Sequence, residues 1–347
     1  MVEFYKYKET SEFLDPKSNY THTQQTIEFR KHPLTGSWCR INIDRAKRPH
    51  TNNGTLKEVD KKILAIAKKT ENCFFCPANV DKKTPKHQKH ISPEGRLRNG
   101  QFILFPNLFP FAPYHGVGVL KEKHFVSLNN LDARTWENAL ETTIDWFKKV
   151  YSHDSAARFA SFNFNYLMPA AASLIHPHIQ PIVDKRADNG LDDILKKSWQ
   201  YSHDNNSNFW QDLLDNDEER YIGKTGKSVY WHASFAPSCA NEVVGIVCGK
   251  SSFLELDSHD IEGIADGIAK VLRGLYAQGV RSVNMTINSA PLNESLASFF
   301  YLNIRIVSRS LMVDDYTTDQ GFMELLHKEP VISTIPETIA KNLREYF

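Results

Sequence analysis

Two stretches of the chain share one rhythm. From residue 111, an extended segment (116–121) gives way to Trp136, Leu140, Thr143 and Phe147 at helical spacing, behind a polar cap near Asp132. From residue 235, an extended segment (242–248) gives way to Ile261, Ile264, Ile268 and Leu272, behind a cap near Ser258. Each helix leads to a strand with asparagines on one face: Asn163 and Asn165, then Asn284 and Asn288. Phe111-Ala112-Pro113 opens the first unit and Phe235-Ala236-Pro237 the second, and the distance from Phe to the last Asn is 54 and 53 residues. The pattern predicts one α+β half used twice, an antiparallel sheet with helices packed on it.

The halves differ where each ends. The first closes with Ser173-Leu174-Ile175-His176-Pro177-His178-Ile179-Gln180, the second with Tyr301-Leu302-Asn303-Ile304-Arg305. Whatever His176 and His178 do, the second copy cannot do with the same atoms. Ahead of both halves, Thr26–Ile43 reads as strand, turn and strand, with the turn at Pro33-Leu34-Thr35-Gly36. Residues 1–25 are polar and mixed and read as a loosely attached arm, and 50–60 and 81–100 read as polar loops. The expected layout is an arm (1–25), an N-terminal half (26–190) and a C-terminal half (191–347).

Composition narrows the class. The chain has 347 residues, 41% hydrophobic and 24% charged, as in ordinary soluble globular proteins. No run of about 18 apolar residues predicts a membrane helix, and MVEFYKYKET has no apolar signal core, which points to the cytoplasm. Five cysteines are too few and too scattered for a disulfide framework. The net charge of +1 hides an asymmetry: residues 1–100 hold 20 basic and 11 acidic side chains, the remainder 22 and 30. A basic third suits an anionic ligand or is a solvated surface. Around it there is no nucleic-acid-binding motif.

Three clusters carry candidate chemistry. Cys73-Phe74-Phe75-Cys76 is a C-x-x-C: half a zinc site, a redox pair, or two buried cysteines. A zinc site needs two more ligands, with His87, His90, His115, His124, His176 and His178 as candidates. In an extended chain His176, His178 and Gln180 point to one face. Three polar groups there are expensive to bury without partners, which a metal, a phosphate or backbone carbonyls would supply. Neutral imidazole also suits attack on phosphorus and leaves again, so a nucleotide could be carried covalently. Arg45-Ala46-Lys47-Arg48-Pro49 places two arginines three apart, a diphosphate clamp or a solvated loop.

Taken in order, these segments resemble the galactose-1-phosphate uridylyltransferase family of the histidine triad superfamily. The matching pieces are His32-Pro33-Leu34-Thr35-Gly36-Ser37-Trp38 with Arg45–Pro49, Cys73–Cys76 with Asn79-Val80, Asn165–Ser173, and His176–Gln180. The resemblance spans residues 26–185 well and the remainder weakly. It implies ping-pong nucleotidyl transfer, with His178 as nucleophile and Gln180 on the phosphoryl oxygens. Asn165 and Ser173 would bind phosphates, and Phe74, Phe75, Phe105 and Asn107 would lie near base and ribose. Cys73, Cys76, His176 and His124 would bind one zinc ion, with His115 as the runner-up for His124. Family members are homodimers in which the equivalents of Arg45 and Arg48 reach a neighbouring subunit's site.

Where the sequence departs from the family, the substrate is in question. The family's Asn-Asp pair is Asn107-Leu108 here, which removes a carboxylate for ribose. Its second metal site uses a His-x-His where this chain has Asn303-Ile304-Arg305, so no second metal is expected. Arg305 reads as a salt-bridged replacement for that metal or as a contact for a more anionic acceptor. The hexose-binding Gly-Tyr-Glu becomes Gly321-Phe322-Met323-Glu324, which puts Asn303, Arg305, Phe322 and Glu324 forward as acceptor residues in uncertain register. The expected activity is transfer of a nucleoside monophosphate, UMP by default, between a nucleotide sugar and a sugar 1-phosphate. Alternatives are a phosphorylase or adenylyltransferase acting on an ADP-sugar or a dinucleoside polyphosphate with phosphate as acceptor, a nucleotide hydrolase, and a zinc-containing nucleotide binder without turnover.

Overall fold

The computed structural model describes residues 2–47, 55–313 and 318–347. Arg48, one member of the expected clamp, lies outside them.

Four strands form a small sheet in the order β1-β2-β3-β14: β1 (Lys6–Asp15), β2 (Thr21–Lys31), β3 (Trp38–Ile41) and β14 (Val331–Ile332). The strand–turn–strand expected over 26–43 is β2, the His32–Ser37 turn and β3. The expected loose arm is different: Lys6–Asp15 pairs with β2 over ten residues, and position 26 falls inside β2. Both faces of β1 are exposed, so its sequence lacks the apolar alternation that marks a strand with one buried face.

Ten strands form the main sheet. The N-terminal half supplies α1 (Leu56–Lys69), α2 (Pro77–Lys83), β4 (Leu97–Asn99), β5 (Phe102–Pro106), β6 (Tyr114–Val119), α3 (Ala133–His153), β7 (Phe159–Tyr166) and β8 (His178–Asp184). The C-terminal half supplies α4 (Asn189–Asn205), α5 (Phe209–Asn216), β9 (Tyr221–Thr225), β10 (Val229–Ala233), β11 (Val243–Val247), α6 (Ser258–Ala277), β12 (Val283–Asn288) and β13 (Asn303–Ser308). α7 (Phe322–Leu325) and α8 (Pro336–Leu343) follow. The 50–60 and 81–100 segments carry more structure than expected, since α1 begins at Leu56 behind the Thr55 capping box and β4 lies within the second.

Strand order shows the duplication directly. It runs β4-β5-β6-β8-β7-β12-β13-β11-β10-β9, so each half contributes five strands in mirrored order. β7 and β12 meet antiparallel at the centre, with Asn163 opposite Thr286 and Asn165 opposite Asn284. All the expected apolar positions of α3 and α6 are buried against one face, among them Trp136, Phe147, Ile264 and Leu272. Gly118 on β6 lets the Phe102 ring pass, since a Cβ there would lie 2.4 Å from it, and Gly245 on β11 does the same for Trp231 at 2.8 Å. The opposite face carries the polar alternates, and the candidate site is built there.

A buried charge cluster ties the small sheet to the C-terminal half. Arg30 on β2 binds both Glu337 oxygens at 2.8 and 3.0 Å, and Arg220 reaches the same carboxylate at 2.9 Å. Both guanidiniums lie 4.9 Å from the centre of the Phe235 ring. Burial alone would raise the Glu337 carboxyl, but Arg30 and Arg220 overcome it and hold it down to about 2.

Candidate metal centre and nucleotide site

Cys73, Cys76, His124 and His176 come together with all four ligand atoms within 4.8 Å of one another. Tetrahedral zinc with Zn–S near 2.3 Å and Zn–N near 2.05 Å requires S···S of about 3.8 Å and S···N of about 3.5 Å. The two sulfurs are 3.8 Å apart, Cys73 Sγ is 3.5 Å from His176 Nδ1, and Cys76 Sγ is 3.4 Å from His124 Nδ1. His176 donates from Nε2 to the Lys121 carbonyl at 2.7 Å, which leaves Nδ1 as the ligand nitrogen. Burial keeps that imidazole neutral by lowering its pKa to about 4. The knuckle is preformed: Phe75 N–H faces Cys73 Sγ, Asn79 donates to the carbonyls of Asn72 and Cys73, and Pro77 begins α2 directly after Cys76. A metal ion therefore fits, and the donor set suits zinc. His115, the alternative ligand, lies elsewhere.

Two residues beyond His176, β8 opens with the nucleophile candidate. His178 donates from Nδ1 to the His176 carbonyl at 2.8 Å, so Nε2 keeps its lone pair. Burial lowers its pKa and holds it neutral. The Phe75 ring packs edge-on at 5.1 Å between ring centres, and Phe105 backs Phe75 at 5.7 Å. Phe105 is 1% exposed, within a cluster with Val80, Ile103, Val117 and Val119, so it supports the ring beside His178 instead of facing a base. Phe74 is exposed.

Gln180 shares the His178 face. Its Oε1 accepts from His115 Nε2 at 3.0 Å and from Asn107 Nδ2 at 3.4 Å. Phe111 N–H donates to His115 Nδ1 at 3.4 Å, which puts the ring proton on Nε2, and burial keeps the ring neutral. With its carbonyl oxygen taken, Gln180 has an amide NH2 without a hydrogen-bond partner among the described residues. His115, the runner-up ligand behind His124, thus stands beside Gln180 by the register of β6 on β8, where it pairs with Ile182. Asn163 Nδ2 holds the Gln180 carbonyl at 3.1 Å and its Oδ1 accepts from Thr286 at 2.8 Å. One step on, Asn165 accepts from Asn284 at 2.7 Å. Asn284 in turn accepts from Arg309 at 2.8 Å, a residue that no sequence pattern marked. Ser173 is exposed in the segment leading to His178, after Leu167 and Ala171, both of which hold left-handed φ values of 66° and 63°.

The expected acceptor residues are not gathered at His178. Asn303 is fully buried, donating to the Tyr301 carbonyl and accepting from Asn288. Arg305 pairs with Glu242 at 2.7 Å and with Ser238. Burial alone would raise the Glu242 carboxyl, and Arg305 brings it below its ordinary value. Arg305 is thus salt-bridged within the chain. Glu324 binds its own Gly321 N–H and the Val331 N–H, while Phe322 is exposed. Arg45 lines a cavity of about 810 Å³ together with Phe322 and Glu324, and His178 and Gln180 are not among its walls. None of the helices among the described residues is long and apolar enough to cross a membrane.

Comparison with solved structures decides the fold. An ADP-glucose phosphorylase from Arabidopsis thaliana with bound ADP-glucose superposes with a TM-score of 0.72 at 19% identity, covering 92% of this chain and 99% of that one. The fold is that of the galactose-1-phosphate uridylyltransferase-like proteins. A GalT-like protein from Arabidopsis thaliana gives 0.70 at 17% identity over 91% and 98%, and a uridylyltransferase mutant gives 0.67 at 17% identity over 92% and 98%. In sequence, an uncharacterized protein of Archaeoglobus fulgidus is 28% identical over 326 residues, 93% of each chain. No family model matches the sequence. The uridylyltransferase-like fold covers both halves and places the cysteine–histidine cluster, His178 and Gln180 within one half.

Proposed function

We propose that the protein is a nucleotidyltransferase that moves a nucleoside monophosphate from a nucleotide sugar to a sugar 1-phosphate or to phosphate through a covalent nucleotidyl-His178. The observation that carries this reading is the His178 tautomer: Nδ1–H is held by the His176 carbonyl, so a neutral Nε2 keeps its lone pair, on the sheet face shared with Gln180. In the first step Nε2 attacks the α-phosphorus and an N–P bond forms. The bond from that phosphorus to the bridging oxygen breaks, and the sugar phosphate departs with the electron pair. The ring's new positive charge is shared with the Nδ1–H to carbonyl bond. Gln180, aimed by His115 and Asn107, donates to the phosphoryl oxygens as charge builds on them. In the second step an acceptor phosphate oxygen attacks phosphorus and returns neutral His178. The zinc ion, when bound, would supply folding energy and hold the segment that carries His176 against the Cys73–Cys76 knuckle.

UMP is the default nucleotide and a homodimer the default assembly. In that assembly the Arg45, Phe322 and Glu324 surface would serve a neighbouring subunit. A second reading, adenylyl transfer from an ADP-sugar to phosphate, draws support from the acceptor positions: Asn303, Arg305 and Glu324 are all engaged within the chain, which leaves few groups to read hexose hydroxyls. The presence of an ADP-glucose phosphorylase among proteins of this fold is consistent with it. Intact-mass measurement after incubation with UDP- and ADP-sugars tests both. An acid-labile gain of one nucleoside monophosphate, absent in His178→Gly, is expected, and its mass names the base. No gain with any donor, together with no product release, would overturn the reading.

A further inference from the structure

The C-terminal half holds a pocket of about 490 Å³ where the N-terminal half presents His178 and Gln180. Strand register fixes the equivalence. Val119 pairs with His178 and Ile103 with Val119, while Ile246 pairs with Asn303 and Tyr230 with Ile246. Counting along the strands, His178 corresponds to Asn303, Gln180 to Arg305, His115 to Glu242, Asn107 to Ser234 and Phe105 to His232. Local bonds repeat as well. Asn107 N–H donates to the His115 carbonyl at 2.8 Å and Ser234 N–H to that of Glu242 at 3.0 Å. Asn303 donates to the carbonyl two residues back at 3.1 Å, as His178 does at 2.8 Å.

A second observation points to a ligand. His232 lines this pocket, is 2% exposed, and neither of its ring nitrogens makes a hydrogen bond among the described residues; Nδ1 stands 3.7 Å from Asp217 Oδ2. A buried imidazole without partners is costly to keep in a fold. Phe209 and Trp210 on α5 supply broad apolar walls, and the His32–Trp38 turn closes one side. Lys328 stands exposed at the rim. Arg305 spends Nε and one terminal nitrogen on Glu242 and Ser238, and its other terminal nitrogen has no partner among the described residues.

We propose that this pocket holds a nucleoside monophosphate without reacting with it, the base stacked on the Phe209–Trp210 wall with an edge on His232, and the phosphate at Arg305 and Lys328. The assignment of a nucleotide rests on reading the N-terminal half as a nucleotide site. Asn303 carries no lone pair able to attack phosphorus, so a bound nucleotide stays intact. The pocket is thus a binding site derived from a duplicated reactive one.

Calorimetric titration of the zinc-loaded full chain with AMP and with UMP tests this, using His232→Phe and Ser234→Phe, the second of which fills the pocket. Either nucleotide should show a binding event weakened at least tenfold in both variants, while covalent labelling of His178 by nucleotide sugars persists and proves the variants folded. Isotherms unchanged in both variants would overturn the proposal, as would the absence of any binding event beyond the one removed by Gln180→Leu. Labelling failing in the wild type while the His232-dependent event remains would overturn the transferase reading alone.

Discussion

One half of this molecule keeps a histidine–glutamine pair and the other keeps its outline. His178 and Gln180 sit on β8 where Asn303 and Arg305 sit on β13, and the partner on the adjacent strand changes from His115 to Glu242. In the N-terminal half a neutral histidine turns a neutral amide. In the C-terminal half a carboxylate neutralises a guanidinium. The backbone bonds around the two pairs are the same, so the two halves differ in side chains on a shared frame. The difference teaches that the frame alone does not fix the chemistry: under the proposed transfer, the unprotonated Nε2 of His178 and the amide NH2 of Gln180 are what the C-terminal half lacks.

The sharpest way to break the comparison is to give the N-terminal half its counterpart's residue. His178→Asn should lower transfer by about 10⁴-fold or more, measured by product formation, with metal content unchanged. Residual covalent labelling would place the nucleophile elsewhere. Next comes the metal. Cys73→Ser or prolonged chelation should cost several kcal/mol, up to on the order of 10 kcal/mol, of folding stability, read as loss of bound zinc together with a large fall in Tm. An unchanged Tm in metal-free protein would remove the structural role of the cluster.

The buried charge cluster comes third. Arg30→Ala should destabilise by about 3–5 kcal/mol, because Glu337 is left buried with one guanidinium fewer. The pH dependence follows from the carboxyl held down to about 2. Folded Glu337 stays ionised below the ordinary carboxylate range, so its contribution is complete above pH about 4.5 and is lost as pH falls toward 2. Denaturant titrations of Glu337→Gln should show a flatter profile in that window, and an identical profile would deny the linkage. The smallest effect sharpens the reading of Gln180. His115→Phe should lower kcat by about tenfold with little change in KM, and His115→Asn should restore part of it. Equal losses in kcat/KM and stability would make His115 merely structural.

How much of this was legible depends on whether a residue's role is local. The duplicated strand–helix–strand units were visible because α3 and α6 bury whole faces and β7 and β12 alternate strictly. The Cys73–Cys76 knuckle is local too, whereas His124 came only through resemblance, since it is brought in from 48 residues away. β1 gave no signal, because a strand exposed on both faces has no apolar period. The role of His115 shows the same limit: its partner Gln180 is 65 residues distant and meets it only through strand pairing. The C-terminal pocket draws on residues 32–38, 209–217, 232–244 and 303–305, and a linear reading has no way to sum them.

The central pairing of β7 with β12 also bears on ancestry and on engineering. A chain ending after β8 would carry β7 as a naked edge, with six residues of unpaired backbone and alternating Phe162, Phe164 and Tyr166. That edge faces a near copy of itself in the intact protein, so two such fragments could close on each other about a twofold axis. Each would then bring its own His178, and the resulting pair would hold two copies of the His178–Gln180 site where the fused chain holds one.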